Sequence, residues 1–138
     1  MPNRENCTLQ ELANAYLRFA QSNPSYFRLI MAFDRGRFEE SISPGLYKKV
    51  MNRSLQGLDL LARTIERGKI TGAFQVDDPW QAAGSVWAAL NGVLVLMGHP
   101  LRQQLLRSDL EAMFTATLDM VLRGWKECRQ PIEKEERA

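Results

Sequence analysis

The sequence is poor in the side chains that bind metals or transfer protons near neutral pH. It has one histidine, His99, and two cysteines, Cys7 and Cys128, near opposite ends of its 138 residues. A lone histidine beside Pro100, with no cysteine near it in sequence, reads as a helix-terminating residue, and no metal site is expected. Two cysteines so far apart form no disulfide framework and read as reduced thiols in a cytoplasm, the expected location. Neither sign of charge dominates: 18 Lys and Arg face 16 Asp and Glu, a net +2, which gives no electrostatic case for nucleic acid or an anionic membrane. No segment alternates with period two, so no sheet is expected. The opening residues MPNRENCT form no signal peptide. A phosphate loop, a nucleophile elbow and metal-ligand spacing are all missing. The carboxylate pair Glu39–Glu40 falls in a loop, and in Asp77–Asp78 the second residue is explained as a helix cap. An enzyme is not expected, and no cofactor is called for.

What is present is an ordinary globular composition, 45% hydrophobic and 25% charged, in a chain that fits one domain and is able to bury about two-thirds of its unfolded surface. Five helices can be read. The first starts at Thr8, with Glu11 completing a capping box; Leu9, Leu12, Ala13, Tyr16 and Ala20 form its stripe, with Phe19 beside it. Asn23–Pro24 starts a short second helix to about residue 33, rich in large apolar groups. Ser43–Pro44 starts a third, ending near Gly68 as a C′ glycine. Residues 69–78 form a linker. Asp78–Pro79 caps the fourth helix, which His99–Pro100 ends. Ser108 or Asp109 starts the fifth, which runs to about Cys128 with apolar groups at three-four spacing. Residues 1–7 read as linker or disordered, 8–128 as the helical domain and 129–138 as a charged tail.

The fourth helix stands out. From Ala82 to Gly98 it carries no charge, and its apolar residues point in every direction, so it must be covered on all sides. At the short limit of the spanning range, and interrupted by Ser85, Asn91 and three glycines, it does not read as a membrane span. Trp87, Asn91 and Leu94 share one side; Ser85, Ala89, Gly92 and Leu96 form a rail of mostly small residues opposite, suited to the close approach of another helix. Together with the fifth helix (Leu110, Phe114, Thr117, Leu118, Val121, Trp125) this rail is expected to build a four-helix seam between two copies of the chain. The aromatics and methionines elsewhere each serve a core equally well, but together around a few polar groups they describe a small-molecule pocket. Its expected lining is Tyr16, Phe19, Phe27, Met31, Met51, Leu55, Leu58, Trp87 and Asn91. Its occupant would be apolar or amphipathic.

The order of motifs LQELANAYLRFAQSNPSYFRLIM, a long third helix, VWAALNGVLVL and LRSDLEAMFTATLDMVLRGW resembles the C-terminal domain of TetR-type transcriptional regulators over about residues 8–126. It is most similar to the subgroup whose fourth-helix motif reads Trp-x-x-x-His-Gly; here Trp87, Asn91 and Gly92 hold those positions, with Asn in place of His. The resemblance implies an all-α regulatory domain that dimerises through its last two long helices. It also implies an effector pocket in each subunit, whose ligand moves linked DNA-reading heads out of register with their half-sites. It implies a helix-turn-helix domain ahead of the first core helix; only MPNRENC stands there, so an excised or truncated regulatory domain of a repressor, unable to bind operator DNA alone, is expected. Two other classes stay open: a free-standing helical adaptor docking a protein through its apolar fourth helix, and a small helical enzyme using Asn91, Tyr16 or His99.

Overall fold

Among the described residues proline opens three helices, at Pro44, Pro79 and Pro100. Its fixed φ and missing N–H suit the first helical position, where no intrahelical partner is lost. The computed structural model describes residues 4–25, 27–28 and 44–126. Its elements are α1 (Arg4–Ser22), α2 (Pro44–Ile70), α3 (Pro79–Leu96), α4 (Pro100–Leu106) and α5 (Leu110–Lys126), and no strand occurs among the described residues. The expected all-α class is what the structure shows. Of the expected second helix, residues 24–25 and 27–28 are described and helical. The remainder of that helix, the loop to Ser43, Cys128 and the charged tail lie outside the described residues.

α3 is the central element. It packs against α2 on one side and α5 on the other, while α1 lies across α2 with a lighter contact to α5. The core where they meet is continuous. α1 supplies Leu9, Ala13, Leu17 and Ala20 at helical spacing, α3 supplies Ala83, Val86, Leu90, Val93 and Leu94, and α5 supplies Phe114, Leu118 and Leu122. The stripe expected on α1 therefore divides. Its core edge includes Leu17, while Leu12, Tyr16 and Phe19 fall on the neighbouring edge.

Helix ends follow local chemistry, with three departures from the sequence reading. The Asp78 carboxylate accepts from the backbone N–H groups of Trp80 and Gln81 at 3.0 and 3.3 Å, as its cap role requires. Asp109, rather than Ser108, caps α5 by accepting from the Ala112 N–H at 2.8 Å. The first departure is at Thr8: α1 begins at Arg4, so Thr8 lies inside the helix instead of capping it. The second is Gly68. α2 runs on to Ile70, and the left-handed residue after it is Gly72, at φ 81°. Gly68 is needed for close packing instead, because a Cβ there would stand 2.0 Å from Cδ2 of the buried Phe74 ring. The third is α4, an added short helix. His99 ends α3 as expected, and its Nδ1 also accepts from the Leu101 N–H at 3.2 Å to start α4. The chain turns by 110° between α3 and α4. No single helix among the described residues is long and apolar enough to cross a membrane.

Candidate functional site

α1, α2 and α3 do not close completely on one another. Between them lies a cavity of about 330 Å³, at the small end of the range of small-molecule sites. α1 contributes Leu9, Leu12, Ala13, Tyr16 and Phe19, the edge set aside from the core. α2 contributes Arg53, Ser54, Gly57, Leu58, Leu60 and Leu61, and α3 contributes Val86, Trp87 and Leu90. Phe19 and Leu60, 38% and 49% exposed, stand at the mouth. Among the described residues the lining is apolar apart from four that carry a polar group, Tyr16, Ser54, Trp87 and Arg53, and none of it is acidic.

Of the expected lining, Tyr16, Phe19, Leu58 and Trp87 come together here. Asn91 stands behind the wall: it is buried, and its Oδ1 accepts a short hydrogen bond from the Tyr16 hydroxyl, while its Nδ2 is buried with no partner among the described residues. A carboxamide inside an apolar helix demands partners, and Tyr16 supplies one. Phe27 is half-buried and packs on the core cluster without reaching the cavity. Met51 and Leu55 are corrected: at 37% and 48% exposure they lie past the edge of the α2 arc that faces the cavity and do not line it. Met31 lies outside the described residues. The expected lining did not include Arg53 or Gly57. The signal for Gly57 was present, since a glycine in mid-helix costs about 1 kcal/mol relative to alanine and calls for a reason.

The second expected site, the seam, divides in the same way. On α3, Ser85, Gly92 and Leu96 lie on the outer face, joined by Ala88 and Val95, with Ala89 half-buried at its margin. On α5 the expected stripe turns inward. Phe114 and Leu118 are buried in the chain's own core, and Leu110, Val121 and Trp125 pack partly buried against it. Thr117 donates to the Met113 carbonyl at 2.8 Å within its own helix. The physical reason is that α3 has core on both flanks, so the regular apolar stripe of α5 is required to close one of them. The outer face of α5 instead presents Ala112, Thr115, Ala116, Asp119 and Met120, the last 72% exposed.

No cluster of three or more His, Cys, Asp or Glu side chains placed to hold a metal occurs among the described residues. The arrangement thus defines a class: a helical domain with an apolar cavity among three of its described helices, and a central helix whose outer face is apolar and open. The family model of the tetracyclin repressor-like C-terminal domain matches residues 9–121, and the chain belongs to that family of regulatory domains. No curated protein and no solved structure matches the chain.

Proposed function

We propose that this chain is the ligand-sensing and dimerisation domain of a TetR-like transcriptional repressor, and that its effector occupies the cavity between α1, α2 and α3. The observation that carries the reading is the position of α3. One face of this helix forms cavity wall through Val86, Trp87 and Leu90, and its outer face, with Val95 37% and Leu96 48% exposed, is the surface offered to a second copy. A ligand that changes how α3 sits in its groove changes the seam as well, which is the two-site coupling a regulator needs. The Tyr16–Asn91 hydrogen bond ties the cavity wall on α1 to α3 and supports the same reading. DNA recognition belongs to a separate helix-turn-helix domain, which the effector-driven rearrangement would release from its operator.

Native mass spectrometry of the purified chain tests the reading. The expected result is a dimer that takes up one small molecule per chain. A chain that stays monomeric at micromolar concentration and takes up no small molecule overturns it.

A further inference from the structure

Two polar residues of the cavity lining have no protein partner among the described residues. Arg53 and Ser54 are adjacent in α2, and both line the cavity. The ion pairs among the described residues are Arg63–Asp59 and Arg123–Asp119. Arg53 takes part in neither, and neither Arg53 nor Ser54 makes a hydrogen bond among the described residues. Arg53 is exposed at the mouth and Ser54 is half-buried just inside it. Lys49 lies one turn earlier on the same flank of α2, since residues four apart on a helix are neighbours. From Pro44 to Leu58, α2 carries Lys48, Lys49 and Arg53 and no acidic residue, so this flank of the helix is positive beside an apolar lining.

Gly57 sits directly below Arg53 on this flank. It lies inside a long helix, where alanine is more stable, and a Cβ built on it meets no atom within 4 Å. Packing therefore does not demand a glycine there. Gly57 lines the cavity and is exposed, and it has no side chain to obstruct the space beside it.

We infer that the cavity takes an amphipath with an apolar body and one carboxylate head, the head held by the Arg53 guanidinium and the Ser54 hydroxyl and the body passing Gly57 to reach Trp87 and Leu90. This rests on the effector reading above and adds the charge and orientation of the ligand. A guanidinium presents paired N–H donors that match the two oxygens of a carboxylate, and no acidic residue among the described residues lines the cavity to compete for it. An ammonium head would be repelled at the same mouth, and a neutral alcohol would gain no ion pair with Arg53.

Isothermal titration calorimetry with decanoate, decanol and decylamine, which share one chain and differ in the head, tests the assignment. Decanoate is expected to bind one per chain, about tenfold or more tighter than decanol, the scale of one partly exposed charge-assisted contact, with decylamine weakest. Arg53→Gln is expected to bring decanoate to the level of decanol and leave decanol unchanged. Arg63→Gln, which removes a charge engaged elsewhere on α2, should change neither. Gly57→Phe should block all three, with circular dichroism confirming that the helices are intact. Equal binding of the three heads, or decanoate binding indifferent to Arg53→Gln, overturns the carboxylate assignment; if Gly57→Phe still blocks binding, the effector cavity stands without it. Failure of all three probes to bind overturns the amphipath assignment, while the effector reading is decided separately by what the purified dimer takes up.

Discussion

The Tyr16 hydroxyl donates to Asn91 Oδ1 across 75 positions of sequence. It is a polar joint between the cavity wall on α1 and the helix whose outer face is open. Tyr16→Phe would leave the Asn91 amide with neither end partnered, because Nδ2 already has none. The expected cost is about 1–3 kcal/mol by urea unfolding. Adding Asn91→Leu should recover part of that cost, since replacing both members of a buried polar pair removes the orphan as well as the bond. If the two single costs merely add in the double variant, the residues are not coupled and the joint is not a functional unit.

Two glycines of α2 should respond to alanine with opposite signs. At Gly57 a Cβ meets nothing within 4 Å, so Gly57→Ala should stabilise by about 0.5–1 kcal/mol through helix propensity. At Gly68 the new Cβ would overlap the Phe74 ring. That ring is 2% exposed and packs edge-on against Trp125 at a centroid distance of 5.4 Å, so it has nowhere to go. Gly68→Ala should therefore destabilise by about 1–3 kcal/mol, as overpacking does. Thermal unfolding of the two variants decides this, and shifts of the same sign would show that the Gly68–Phe74 contact is not close.

The sequence carried four of the named helices in outline and the caps at Asp78 and Asp109, because capping is local and written in residue type. It also carried the two-faced nature of α3, because no other uncharged run in the chain is as long. It did not carry which apolar residues of α5 face inward. A regular stripe reads the same whether it closes a core or a seam, and the choice falls to the core only because α3 needs cover on both flanks. Arg53 was hidden for a related reason: a cation at a cavity mouth and one on a solvated face share the same helical spacing, and only the position of α1 across α2 separates them. Gly68 was misread as a turn because a glycine near a helix end fits that role too, and its true constraint comes from Phe74, six positions later on a loop.

Asp78 sets the start of α3, and with it the register of both faces. Its carboxylate satisfies two of the backbone N–H groups that a helix start leaves open. Asp78→Ala should cost about 0.5–2 kcal/mol, and Asp78→Ser should retain most of the stability, because serine can accept the same bonds. Chemical denaturation of the pair tests this: serine faring no better than alanine would mean that the cap is not what holds the N-terminus of α3.

The last prediction concerns the open face of α3. Gly92 and Leu96 lie on it one turn apart, Leu96 is 48% exposed, and a Cβ on Gly92 meets no atom within 4 Å among the described residues. In a monomer, therefore, neither Gly92→Arg nor Leu96→Lys disturbs packing: Leu96→Lys should leave the stability within about 0.5 kcal/mol of its reference, the range of ordinary surface substitutions, and Gly92→Arg should raise it by about 0.5–1 kcal/mol through helix propensity. At a seam between two copies the same changes have a large effect, because an arginine at the glycine keeps two helices apart and a lysine buries an unpaired charge. Sedimentation equilibrium of the two variants is expected to show monomers with intact helicity, beside a dimer for the unaltered chain. Met120→Lys on α5, 72% exposed, measures how far the seam extends, and should weaken the dimer if α5 lies within it. Dimers that persist in both α3 variants would move the partner surface elsewhere, and the coupling through α3 would then lose its second site.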